Sequence, residues 1–118
     1  MTVLSKEAIL SATDAVVQSV EVPEWGGGVF LRVMSGTELD AFETVTRGNG
    51  NGSPPNLMNL RARLAAVTLC DAKGLRLFTD QDAVELGRKN GVVLDRIFDA
   101  SYALNKMGQV GIERAEKN

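Results

Sequence analysis

The stretch VEVPEWGGGVFLRV, residues 20–33, decides how the rest of the chain is read. Val20 and Val22 alternate with Glu21, and upstream Val16 and Gln18 alternate with Val17 and Ser19. That is the twofold period of an extended strand. Past the glycines, Val29, Leu31 and Val33 point one way and Phe30, Arg32 and Met34 the other. Pro23 has no N–H to give to a ladder, so the first strand ends beside it or lies at a sheet edge. The two runs predict a β-hairpin connected by residues 24–28. Trp25, the single tryptophan, falls in that connection. The neighbouring glycines leave its ring free to fold back over the hairpin. A small-molecule platform requires convergent polar groups, and this segment offers only Glu24 and Arg32. A fastening role is therefore the better reading, with an anchor for a partner protein as a further option.

Outward from the hairpin, the pattern becomes helical. Ser5 caps a short helix expected over residues 6–13, with Ile9 and Ala12 on its inner side. Ser35-Gly-Thr-Glu38 is a capping box that opens a helix over 36–46, carrying Leu39, Phe42 and Val45 at helical spacing. RGNGNGSPPN, residues 47–56, has nothing to bury, so 48–55 is expected to be a flexible loop. Gly48, Gly50 and Gly52 do not make a phosphate cradle, because the loop follows an amphipathic helix and lacks a closing Gly-Lys-Ser/Thr. NLMNLRARLAAVTLC, residues 56–70, is the strongest helical segment. Leu57, Leu60, Leu64 and Val67 form one stripe, and Met58, Ala62, Ala65 and Leu69 form another. An arc that broad predicts a helix that is central or shared with another subunit. A turn at 71–74 and a short extended piece at 75–78 follow. Thr79-Asp-Gln-Asp82 opens a helix expected to reach 89 and stop at Asn90-Gly91. The last long helix is expected over 92–106. Val93, Ile97, Ala100, Leu104 and Met107 line one side of it, flanked by Leu94 and Phe98. Gly108 ends it, and 109–118 reads as a polar tail. The fold class is α+β and predominantly α-helical: about five helices, with a small β-hairpin or sheet near the N-terminal third.

The 118 residues suit one domain spanning 1–118, small enough that a subunit interface would help to stabilise it. The formal charge of -2 comes from interspersed acids and bases. With no basic block to neutralise a phosphate backbone, nucleic-acid binding is not expected. No apolar run approaches the roughly 20 residues of a membrane span, and no membrane partner is expected. Lys6 and Glu7 stand where a signal peptide carries its apolar core, so the first residues are expected in the mature protein.

Histidine is absent, which removes the commonest general base and the usual zinc constellations. Cys70 is the one cysteine and lies in an apolar run, as a buried structural thiol does. Asp80, Asp82 and Glu85 sit where a helix start favours acids, and Asp95 and Asp99 suit a solvated face. These residues predict no catalytic group, no metal site and no cofactor.

Read in order, longer segments carry more information than any single residue. They are Val20-Glu-Val-Pro-Glu-Trp-Gly-Gly, Val29-Phe-Leu-Arg-Val-Met-Ser-Gly, Arg61-Ala-Arg-Leu, Leu69-Cys-Asp-Ala-Lys-Gly, Leu77-Phe-Thr-Asp-Gln-Asp, Leu86-Gly-Arg-Lys, Leu94-Asp-Arg-Ile-Phe-Asp-Ala and Leu104-Asn-Lys-Met-Gly. The ordered set resembles the tail assembly chaperones of long-tailed bacteriophages, over residues 18–118. The resemblance implies a non-enzymatic protein of the host cytoplasm that is absent from the mature virion. Its implied partners are the tape measure protein, which it keeps soluble, and the tail tube (major tail) protein, reached through a longer form made by −1 ribosomal frameshifting. Glu116-Lys117-Asn118 fits the codons GAA-AAA-AAC, which contain a slippery heptamer. A homo-oligomer is also expected. The alternative is a structural head-tail joining or tail completion protein of the virion. Candidate residues for self-association or partner binding are Trp25, Phe30, Leu57, Leu60, Leu64, Val67, Ile97, Phe98 and Leu104. The same side chains equally suit the chain's own core.

Overall fold

The structure is a computed structural model that describes residues 1–48, 52 and 54–107. Strands β1 (Val17–Val22) and β2 (Gly27–Arg32) pair antiparallel without a bulge, from Val17↔Arg32 to Val22↔Gly27. A 3-10 turn, Pro23–Trp25, joins them. It closes where the Gly26 N–H donates to the Pro23 carbonyl at 2.9 Å, with Gly26 at φ 79, a conformation that favours glycine. The hairpin read from the alternation is present.

The third strand lies earlier than the extended piece expected at 75–78, where only Arg76 forms an isolated bridge, to Cys70. Helix α3 is Leu60–Thr68, and the next two residues turn extended as β3 (Leu69–Cys70), antiparallel to β2 through Phe30↔Cys70 and Leu31↔Leu69. The sheet order is β1-β2-β3. The apolar run through 70 suited a helix, yet its last residues are captured by the exposed edge of β2, a contact that no local pattern reveals. The helix also starts later than 56. Pro54 and Pro55 precede it, Asn59 at φ 54 makes the entry, and Leu57 and Met58 stay outside, exposed.

Helix α1 (Lys6–Ser11) is capped by Ser5, whose Oγ accepts from the Ala8 N–H. It is shorter than expected and buries no residue. Ile9 is 58% exposed and Ala12 is exposed as well, so the inner side assigned to them does not exist in a single chain. Helix α2 (Gly36–Arg47) begins at the expected reciprocal cap: Glu38 N–H donates to Ser35 Oγ, and Ser35 N–H to Glu38 Oε1. The Thr79/Asp82 capping box opens a 3-10 turn (Asp80–Asp82) and then α4 (Ala83–Leu86), well short of 89. Asn90 does not stop a helix. Its side chain accepts from the N–H groups of Val92 and Val93 and starts α5 (Gly91–Leu104). An Asn-Gly pair fits either end, and here tertiary packing selects the cap.

Helix α3 is the hub. Ala62, Ala65 and Ala66 meet Val22 and Leu31 of the sheet, Val93 and Ile97 of α5, and Ala83 and Leu86 of α4. Leu64 and Val67, with Met34, form a second cluster against Leu39 and Phe42 of α2 and Phe98 of α5. The broad apolar arc is thus accounted for by a helix buried on two sides. The fully buried Thr68 hydroxyl donates to the Leu64 carbonyl at 2.7 Å and shares a 2.9 Å hydrogen bond with Ser101, tying α3 to α5.

Candidate interaction surface

The nine apolar candidates divide by burial. Leu64, Val67 and Ile97 lie inside the two core clusters. Leu60, Phe98 and Leu104 are half-buried. Only Trp25 (37% exposed), Phe30 (40%) and Leu57 (66%) present substantial surface. They do not form one patch by sequence logic: Trp25 and Phe30 belong to the hairpin, while Leu57 precedes α3. Leu60 and Phe98 do converge. With Phe42, Thr46, Tyr102 and Met107 they line a groove of about 320 Å³ between the end of α2 and α5. Phe98 and Tyr102 stack there, ring centroids 5.6 Å apart.

A neighbouring groove of about 270 Å³ runs along the other flank of α2, between Ala41, Phe42, Val45, Val67 and the guanidinium groups of Arg63 and Arg76. Arg63, in the Arg61-Ala-Arg-Leu segment but not among the candidate site residues, closes this region. Its guanidinium donates to the carbonyls of Met58 and Asn56 and to Thr46 Oγ1, and it lies 5.5 Å from the Phe42 ring centroid. One arginine therefore ties the segment before α3 to α2 by hydrogen bonds and a cation–π contact. Nothing in residue spacing could have signalled it. Arg76 caps the other end, donating to the Ala66 carbonyl and to Asp80.

The two polar groups near Trp25 do not converge on it as a ligand site requires. Glu24 receives both terminal nitrogens of Arg96, at 2.8 and 2.7 Å, which clamps the hairpin turn to α5. Arg32 instead pairs with Glu38 at the start of α2. These ion pairs hold both carboxyl groups down to about 2, chiefly through the hydrogen bond from Arg96 to Glu24 and from Arg32 to Glu38. A carboxylate with a lowered folded pKa stabilises fully above its unfolded value near 4.5 and loses that contribution as pH falls through about 2. Glu38, about a quarter exposed, is worth about 2 kcal/mol after allowance for solvent screening. The thermal midpoint is therefore expected to hold between pH 6 and about 5 and to decline steadily below it. The Glu38→Gln variant should show a shallower decline, and an equal slope in both proteins would contradict this assignment.

Burial pushes the Cys70 thiol up, against a weaker opposing pull from Arg32. That is the reverse of an activated nucleophile. Among the described residues no three metal-binding side chains cluster, and no helix is long and apolar enough to cross a membrane. What the surface provides is apolar grooves beside α2 and α5, bordered by arginines and carboxylates.

The structure of the bacteriophage HK97 tail assembly chaperone matches with a TM-score of 0.58 at 22% identity, covering 83% of this chain and 90% of that one; the two share a fold. No curated protein matches in sequence. The family model for the phage tail assembly chaperone matches residues 5–118. Spanning the hairpin, both core clusters and the grooves, that match places the chain in the phage tail assembly chaperone family.

Proposed function

We propose that this chaperone holds the tape measure protein soluble during tail assembly, in the host cytoplasm and outside the finished virion. A −1 frameshifted longer form, encoded through the codons of Glu116–Lys117–Asn118, recruits tail tube subunits. Residues 108–118 lie outside the described part of the structure, so this element rests on the sequence alone. The observation that carries the reading is the family match across residues 5–118. The surface supports it: Val45 (50% exposed) borders the groove that Arg63 lines, and Leu57 and Met58, in the segment whose carbonyls Arg63 holds, are exposed. A tape measure protein offers long apolar helical stripes, and helix-in-groove docking matches such a client to grooves of this kind. Paired charges around the rim keep the loaded complex in solution.

The test is co-expression with the tape measure protein of the same phage, scoring its soluble fraction. The native chain should raise that fraction and co-purify with the client. Val45→Glu with Leu57→Glu, both at exposed positions, should lower it by at least about fivefold, the effect of about 1 kcal/mol of lost binding. The pair should leave the circular dichroism spectrum of the chaperone unchanged. A client equally insoluble with and without the chaperone would overturn the proposal, and abundance in purified particles would favour the virion-component reading.

A further inference from the structure

The groove of about 270 Å³ beside α2 carries a charge imbalance on its apolar floor. Four charged side chains line it: Glu38, Arg63, Arg76 and Asp80. Glu38 is paired with Arg32, which lies outside the lining, and Arg76 is paired with Asp80. Arg63 is left over. Among the described residues no carboxylate pairs with it, and its hydrogen bonds go to neutral acceptors, the Met58 and Asn56 carbonyls and Thr46 Oγ1. Those bonds use one N–H on each nitrogen, which leaves one more on each terminal nitrogen. Burial pulls this half-buried guanidinium down, and no anion among the described residues offsets the effect. A partly desolvated cation held by neutral groups alone gains from an anion brought to it.

We propose, resting on the chaperone function above, that this groove selects client segments of acidic-apolar chemistry: an aliphatic or aromatic side chain over Ala41, Phe42, Val45 and Val67, and a carboxylate beside it on Arg63. The dimensions suit that occupant. The run of α2 from Glu38 to Val45 is about 10 Å of helix. On a client helix, residues three or four apart present side chains about 5–6 Å from one another, so both fit along that run. A basic client side chain would instead meet Arg63 with Glu38 and Asp80 already engaged. A phosphate backbone gains nothing from the apolar floor and finds one unbalanced cation where it needs several.

The second groove lacks this preference. Its charged lining residues are Glu43 and Arg47, which pair with each other at 3.2 Å, so it offers apolar surface without a net sign. The two flanks of α2 therefore differ in what they discriminate. One rewards apolar area alone, and the other rewards apolar area with an acid attached and penalises a base, which is how an interface gains specificity from charge.

Labelled peptides of about 20 residues, about 30 Å long as helices, tiled across the tape measure protein of the same phage are the probes. Their binding to the full chain is read by fluorescence anisotropy. The tightest binders should carry a Glu or Asp three or four residues from an aliphatic or aromatic side chain. Replacing that carboxylate by its amide should weaken binding at least about fivefold. Arg63 also ties the segment before α3 to α2, so it is left intact and the sign of the field is changed at the exposed Val45. Val45→Lys should bind the acidic peptide at least about tenfold more tightly than Val45→Glu, with Val45→Gln between them. The gap should vanish with the amide peptide and shrink in about 1 M salt. Circular dichroism of all three variants should match the native chain. Equal affinity of the Lys and Glu variants, no loss on amide replacement, or no peptide bound at all would each overturn the proposal. Tighter peptide binding after Ile112→Glu would assign the groove to the chain's own end, and altered sedimentation of the client-free chain in Val45→Glu would assign it to a second copy; either result overturns it. The solubility test above is separate: a chain that keeps the intact client soluble while the Lys and Glu variants bind alike retains the chaperone function and loses this selectivity.

Discussion

Ile97→Ala is expected to destabilise the folded chain by about 4 kcal/mol, in the upper part of the range for a buried large-to-small change. Ile97 is fully buried and sits at the meeting point of α3, α5 and the sheet, in one cluster with Leu31, Leu69, Ala62, Ala65 and Ala66. Its neighbours on α3 are alanines, which have no longer side chain to swing into a cavity. The backbones of α3 and α5 are also fixed by the buried Thr68–Ser101 hydrogen bond, so they cannot close over it. Poor collapse is what moves such a substitution towards the large values. A small domain has about 5–15 kcal/mol in total, so this one change removes a large share of it. Urea unfolding should show a lower midpoint at an unchanged slope. Val92→Ala, on the same helix but 71% exposed, should stay within about 0.5 kcal/mol of the native protein. A loss below about 1.5 kcal/mol at Ile97 would mean the site relaxes, and that the cluster is less tightly built than described.

Much of this architecture was legible in the sequence, and the particular failures share a cause. The hairpin, the Ser35/Glu38 and Thr79/Asp82 caps and the broad arc of α3 follow from interactions within a few residues, which composition and spacing record directly. What was misread depends on distant partners. Leu69 and Cys70 continue a helical stripe but leave the helix because the edge of β2 takes them. Asn90 has the chemistry of either a stop or a start, and the packing of α5 on α3 selects the start. Ile9 lies on an apolar face that a single chain leaves uncovered. For the candidate surface the difficulty is sharper. Leu64, Val67 and Leu57 share one stripe in the sequence, yet two are core and the third is exposed, because α3 begins only at Leu60. Periodicity identifies apolar faces without saying which neighbour covers them. Arg63 and Asn105 lie in segments that carry the family resemblance, but nothing in the sequence shows their bonding roles, since a polar residue at a helix edge is the commonest thing a sequence contains.

Asn105→Ala should cost about 2–3 kcal/mol, large for a half-buried polar residue, because it removes the amide that finishes the inner edge of β2. Its Oδ1 accepts from the Met34 N–H at 2.8 Å, and its Nδ2 donates to the Ser101 carbonyl at 2.9 Å and, at 3.5 Å, to that of Arg32. β3 is only two residues long and ends its pairing at Phe30 and Leu31, so no strand is available to replace these bonds. In the alanine variant the Met34 amide, part-buried beside the second core cluster, has no partner but water. Asn105→Asp separates the contributions. A carboxylate still accepts from Met34 but cannot donate, and it opposes the carbonyls of Ser101 and Arg32. Hydrogen exchange at Met34 should therefore accelerate in Asn105→Ala and stay protected in Asn105→Asp, while both variants unfold at lower urea than the native chain. Native-like protection of Met34 in Asn105→Ala, with a stability change under about 0.5 kcal/mol, would show that the amide does not complete the edge.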